Sequence, residues 1–413
     1  MTNIKTLNFN MYINYVAVAY AFILPLSRAG ISLFSIIFVL LWIIEGNFQE
    51  KWEKIKNNKV LFSFLLFIGF SIISIIWTDN LSDAKKPLRM LTYFFVLYVL
   101  ATSIKKSYIN HIITAFLLGM FVSEVISYGV YFEWWQFKAA TPQNPSPFMY
   151  HIDYSVFLAF TSILLLNRVF STRYTHKEKI LLLVFFVTVT GNLFIGIGRT
   201  GQVAFIAGVI VMSVIHFKLS FKAILISILV LFSIFTLAYN VSDNFNARVN
   251  QGLGDVQKIK DMDFKSSWGT RVAYWITTFE IVKENPLIGK GIGDYLDVSK
   301  NEIEKVKYNP EKFSKKFIST HGPHNQFLLI ALQTGMLGLV IFFYFIYTYL
   351  HLPIENREWK ETSILFMTIF SASCMADTFL LLQFPVSLFS LFVGIFIASS
   401  FDDMMYTIDL EKN

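Results

Sequence analysis

Three positively chargeable side chains stand where long apolar blocks give way to polar sequence. Arg199 lies in Gly198-Arg199-Thr200-Gly201, between two apolar blocks. Arg271 lies in Gly269-Thr270-Arg271, inside a long polar stretch. His324 lies in His321-Gly322-Pro323-His324-Asn325, at the start of a further apolar block. Arginine presents a planar fork that matches phosphate oxygens and stays charged at any working pH. Two arginines can neutralise a pyrophosphate and stabilise it as a leaving group. Histidine, with an unperturbed pKa of about 6.5, can take a proton from an attacking hydroxyl near neutral pH. Together the three suit transfer of a group from a polyprenyl diphosphate to an acceptor alcohol. Each also has a plainer role. Arg199 can serve as a snorkelling anchor at a helix end, Arg271 as the polar face of a surface helix, and His324 as a helix N-terminal residue at the interface. A second histidine three residues earlier, His321, around Gly-Pro and near Asn325, weighs against the last.

The elements that must position these residues are membrane helices. The chain has 413 residues, 55% hydrophobic and only 15% charged, with a mean hydropathy of +0.54. Soluble domains carry about 25% charge. The apolar residues form repeated blocks of the length that crosses a bilayer as helix, not the short alternating segments of a barrel. The spacing predicts an all-α polytopic fold with about twelve spans, near 11–27, 30–45, 60–77, 88–104, 110–132, 151–170, 180–197, 201–217, 221–240, 324–350, 361–381 and 384–400. The first block reads as a retained helix, because another follows at once. Lys and Arg in the loops number 16 on one side, from Lys5 to Lys412, against 6 in the short loops of the other. That bias predicts both termini in the cytoplasm and puts Arg199 on the outer side, where positive charge is disfavoured.

The whole chain, 1–413, reads as one integral membrane domain. Its polar stretch 241–323 reads as a periplasmic cap between the ninth and tenth spans. Within it, Arg271 to Val282 has apolar residues at helical spacing. Glu284-Asn285-Pro286 ends that helix. Gly289, Gly291 and Gly293 follow, so the backbone turns tightly there or something approaches it closely. Residues 133–150, with three prolines, form a second outside segment. Glu124 and Asp377 fall within expected spans, where an acid is costly and a functional suspect. Their structural role is pairing with a buried arginine or lysine. Asp294 and Glu280 are ordinary loop carboxylates that could also form a pair. His321 and His324 lack a third zinc ligand, so no metal site and no cofactor are expected. The lone Cys374 excludes a disulfide framework. The net charge of +7 is scattered over short loops, which argues against nucleic acid.

Three segments taken in order resemble the O-antigen ligase family. His324-Asn325, nine spacers and Gly335-Met336-Leu337-Gly338 look like its histidine signature. Pro286-Leu287-Ile288-Gly289-Lys290-Gly291 is similar to its proline-leucine-x-glycine-x-glycine run, and Arg199-Thr200-Gly201 to its arginine-threonine-glycine element. The resemblance implies a membrane glycosyltransferase (GT-C-like) fold in the bacterial inner membrane. It implies transfer of a glycan from undecaprenyl diphosphate to lipid A-core on the periplasmic face, inverting and without metal, as a step of lipopolysaccharide biosynthesis. His324 would be the catalytic base, Arg199 and Arg271 would bind the diphosphate, and His321 would be a helper. The implied partners are the lipid-linked donor, the lipid A-core acceptor and membrane lipids. An O-antigen or capsule polymerase, or a protein O-oligosaccharyltransferase, stays open as an alternative. So does an ion-coupled transporter or flippase, on the strength of Glu124 and Asp377.

Overall fold

The structure is a computed structural model and describes residues 9–218, 220–305, 317, 318 and 320–401. Lys5, Lys412 and residues 306–316 and 319 of the expected cap lie outside the described residues. Helix is found over all twelve expected segments. The first six helices are α1 (Phe9–Ile23), α2 (Arg28–Glu45), α3 (Phe48–Asn57), α4 (Lys59–Ile73), α5 (Leu81–Thr92) and α6 (Phe95–Ser103). They are followed by α7 (Lys106–Tyr131), α8 (His151–Phe170), α9 (His176–Ile195), α10 (Arg199–Phe217) and α11 (Phe221–Val241). The last three of the bundle are α15 (Gln326–Leu350), α16 (Arg357–Cys374) and α17 (Gln383–Ser399). Eight helices among the described residues are long and apolar enough to cross a membrane. The chain is a polytopic membrane protein.

Two expected spans take a different form. The segment 88–104 is not one helix. α5 ends at Thr92, where the Tyr93 amide turns back to the Met90 and Leu91 carbonyls, and α6 then runs for only 9 residues. The physical reason is α5's mixed face: Ala84, Pro87 and Met90 are buried while Lys85, Lys86 and Arg89 are exposed. Such a helix lies at a surface and cannot continue into the bundle. The segment 361–381 ends as helix at Cys374, and Asp377 lies in the turn beyond it.

The bundle closes around α17, whose residues from Phe384 to Ser399 are all buried. A helix apolar on every side belongs in the interior. Phe389 shows how the core is joined. Its ring lies 5.5 Å from Phe64 of α4, 5.8 Å from Phe94, 5.8 Å from Phe345 of α15 and 4.8 Å from Phe370 of α16. α10 packs on α8 through Gly201. A side chain there would collide with the Ser155 backbone, and the Gly201 amide donates to Ser155 Oγ at 3.0 Å.

Among the described residues, the stretch after α11 forms a cap that includes the helices α12 (Asp243–Lys260), α13 (Ser267–Glu284) and α14 (Tyr295–Glu302). α13 stops at the turn expected at Glu284-Asn285-Pro286. The cap has its own small apolar core, with Tyr274, Ile281 and Tyr295 buried against Leu329 and Leu332 of α15.

The cap is fastened where α15 breaks. Gly335 has φ +65°, ψ −169°, interrupting the helix. The break strips α15 of hydrogen bonds, and the stretch 286–291 replaces them. The Lys290 and Gly291 amides donate to the Leu332 and Gln333 carbonyls at 2.7 and 3.0 Å. The Met336 and Leu337 amides donate to the Pro286 and Leu287 carbonyls at 2.8 and 3.2 Å. A Cβ on Gly335 would meet the Leu287 backbone. Substituting Gly335→Ala therefore combines a left-handed φ with a backbone collision. It is expected to lower stability by about 2 kcal/mol or more, read as a lower melting midpoint in detergent, and to speed proteolysis within the cap.

Candidate functional site

His324 is held where the start of α15 meets the turn after α16. Asn325 starts α15 as its N-cap, its side chain accepting from the Phe327 and Leu328 amides at 3.0 and 3.1 Å. Its amide nitrogen donates to the Met375 carbonyl at 3.3 Å. Gln326 Oε1 accepts from the Leu380 amide at 3.0 Å. These bonds stitch the start of α15 to the turn after α16. Asp377 in that turn accepts from His324 Nδ1 at 3.1 Å, and the same oxygen accepts from the Thr378 amide at 2.7 Å. A carboxylate only accepts, so the pair assigns the proton to Nδ1 and leaves Nε2 with a free lone pair. The Tyr274 ring meets the imidazole edge-on at 5.5 Å, and Phe317 lies nearly parallel at 6.3 Å. His324 takes φ +47°, an uncommon conformation for a residue with a side chain. Strain of this kind persists only where the surroundings over-determine it.

Asp377 is buried, which works to raise its pKa. The hydrogen bond from His324, the Thr378 amide and the charge of Arg271 outweigh that and hold it below the usual carboxylate value. His321 lies on the same rim, exposed, its ring stacked on Phe317 at 4.1 Å and its Nδ1 2.9 Å from Thr320 Oγ1.

Behind this pair runs a row of arginines. Arg271, on α13, is an electrostatic neighbour of both Asp377 and Arg199. Arg199, the first residue of α10, donates from Nη2 to Gln251 Oε1 at 2.8 Å. Arg248 of α12 donates from Nη1 to the same oxygen at 2.9 Å. Asp255 approaches Arg199 Nη1 at 3.8 Å. Nε and Nη1 of Arg199 and Nε of Arg271 are buried and lack a hydrogen-bond acceptor. Buried donors of this strength are costly when unpaired, and they mark a place for an anion.

Two cavities adjoin the row. One, of about 860 Å³, is lined by His324, Asp377, His321 and Tyr150, together with α5. The other, of about 630 Å³, is an apolar groove between Phe194, Ile206, Phe232, Phe235 and Leu253, with Arg199 and Arg248 at its rim. The three expected site residues are thus brought together as a series, not a single knot. His324 faces one cavity, Arg199 the other, and Arg271 couples electrostatically to both sides.

Residues 183–343 match the family model described as O-antigen ligase. The match spans 161 of the 413 residues, about two fifths of the chain. That region takes in Arg199, Arg248, Arg271 and His324, while Asp377 lies beyond it. A Rickettsia conorii protein named as a candidate polysaccharide ligase is 30% identical over 95 residues, 22% of each chain. A Rickettsia felis protein so named is 31% identical over 80 residues, 19% of each chain. The chain therefore aligns with about a fifth of the length of these relatives. The family match and the two relatives both mark a likeness to ligase-type proteins.

The sequence singled out Asp377 as an intramembrane acid with a transport role or a basic partner. The structure gives it His324 instead. Glu124 bonds to Thr188 at 2.9 Å rather than to a cation. Arg248 was not singled out, because a polar helix in a polar loop carries no distinguishing mark.

Two outcomes follow from this geometry. The Asp377–His324 pair stabilises the fold above the ordinary Asp value of about 3.9. That contribution is lost as pH falls through the lowered Asp377 value. The melting midpoint of the wild type should exceed that of Asp377→Asn by the equivalent of about 2 kcal/mol near neutral pH, with the gap closing in acid. Arg248→Gln should weaken binding of inorganic pyrophosphate, used as an anion probe, to the purified protein about tenfold, in line with a lost charged hydrogen bond.

Proposed function

We propose that the protein is an O-antigen ligase of the bacterial inner membrane. It transfers a glycan from undecaprenyl diphosphate to lipid A-core on the periplasmic face, with both termini in the cytoplasm. The observation that carries this reading is the His324–Asp377 pair, facing a cavity with unsatisfied arginine donors behind it.

The chemistry follows from the parts. The prenyl chain lies in the apolar groove, and its diphosphate reaches Arg199, Arg248 and Arg271. The acceptor enters the larger cavity and presents a hydroxyl to His324 Nε2. The hydroxyl oxygen attacks the anomeric carbon from the face opposite the diphosphate. A new carbon–oxygen bond forms as the bond to the phosphate oxygen breaks, and the configuration inverts. The electron pair departs on the diphosphate, where the arginines stabilise it. The hydroxyl proton passes to Nε2, and Asp377 stabilises the imidazolium that results. His321, on the same rim, acts as a helper.

The test is His324→Ala in cells and with purified protein. It should lower in vitro transfer by a factor of 100 or more, within the range of about 10²–10⁴ for a general base. In cells, polymer on lipid A-core should disappear while undecaprenyl-linked polymer accumulates. A normal lipopolysaccharide ladder sinks the reading. Single repeat units left on the core identify a polymerase instead.

A further inference from the structure

α5 lines the larger cavity together with His324. It packs against the 3-10 turn Phe379–Leu381, directly after Asp377. Three of its cations, Lys85, Lys86 and Arg89, line the cavity. All three are exposed, and none has an ion pair or side-chain hydrogen bond among the described residues. The acids of the same cavity are already engaged. Asp83 accepts from Asn80 at 3.3 Å, and Asp377 is bound to His324. The wall therefore carries a net positive charge that the protein itself leaves uncompensated.

The position of these cations sharpens the point. On the orientation expected from loop charge, α5 lies on the outer side, where lysine and arginine are disfavoured. Three of them facing a cavity beside a proton acceptor call for a ligand. The donor diphosphate is assigned to a different place, since Arg199 and Arg248 line the apolar groove and that groove shares no lining residue with this cavity. The cavity is about 860 Å³, within the range of about 300–1,000 Å³ typical of small-ligand sites.

We propose that Lys85, Lys86 and Arg89 select an acceptor glycolipid bearing a phosphate group, gripping that phosphate while His324 receives the hydroxyl. The inference rests on the glycosyl-transfer reading above and adds the charge class of the acceptor. Lysine serves such a role as a point charge and arginine as a fork.

The experiment compares wild type with K85Q/K86Q/R89Q, all at exposed positions. Binding of lipid A-core, and of lipid A-core treated with phosphatase, is measured on the purified proteins. Wild type should prefer the phosphorylated form about tenfold. The triple variant should lose that preference, and its KM for lipid A-core in transfer should rise about tenfold, with undecaprenyl diphosphate affinity as in wild type. Three outcomes overturn the inference: no preference in wild type, a preference retained by the variant, or donor affinity falling in its place. Competition by phosphatidylglycerol as strong as that by lipid A-core also overturns it, since the wall then meets ordinary headgroups. Charge-dependent binding without any transfer by wild type supports this inference and defeats the glycosyl-transfer reading alone.

Discussion

A broken helix holds this protein together. α15 would be an uninterrupted span but for Gly335, and the break exposes carbonyls and amides in apolar surroundings. Such groups cannot be left unpaired in a membrane protein. The stretch 286–291 pairs them, two bonds in each direction. The cap is therefore joined to the bundle backbone to backbone. A further tie comes from Asp294, which accepts from the Asn80 and Asp79 amides at 2.7 and 3.1 Å. These two seams fix the cap over the start of α15, and with it the distance from Arg271 to His324.

The site depends on that join because its charges come from both parts. His324, Asp377 and Arg199 belong to the bundle. Arg248 and Arg271 belong to the cap. Cations gathered this closely repel one another, and the row contains one carboxylate near Arg199, one beside His324 and a shared amide oxygen at Gln251. The fold supplies the energy to hold them near each other in partial burial, and a bound anion relieves the repulsion. Such preorganised donors act without reorganising when charge develops on a leaving group.

Much of this was legible in residue types and positions. His324 and Arg199 stood out because they interrupt apolar blocks, and Arg271 because it opens an amphipathic run. The glycines of 289–293 announced a close approach, and the structure supplies what approaches: α15 at Gly335 and, through Gly293, the Asn80 carbonyl. Asp377 was visible but misread. Its partner is 53 residues away, and the apolar sequence around it hides the end of α16. The break at Tyr93-Phe94 was hidden for the same reason, since hydropathy reports where lipid or protein interior surrounds a residue and not where the backbone bends. Arg248 gave no signal because its meaning comes from Gln251 and Arg199, and only tertiary contact supplies those.

The seam at 286–291 also sets a mechanical ratio. It grips the chain just past the C-terminal end of α13, and Arg271 sits near the other end of that helix, some 13 residues back. At 1.5 Å per residue the arm is about 20 Å long. A tilt of about 5° at the seam would carry Arg271 about 2 Å, enough to make or break a hydrogen bond. The second tie at Asp294 and the burial of Tyr274 and Ile281 hold that arm still, so the charge at its far end keeps its place.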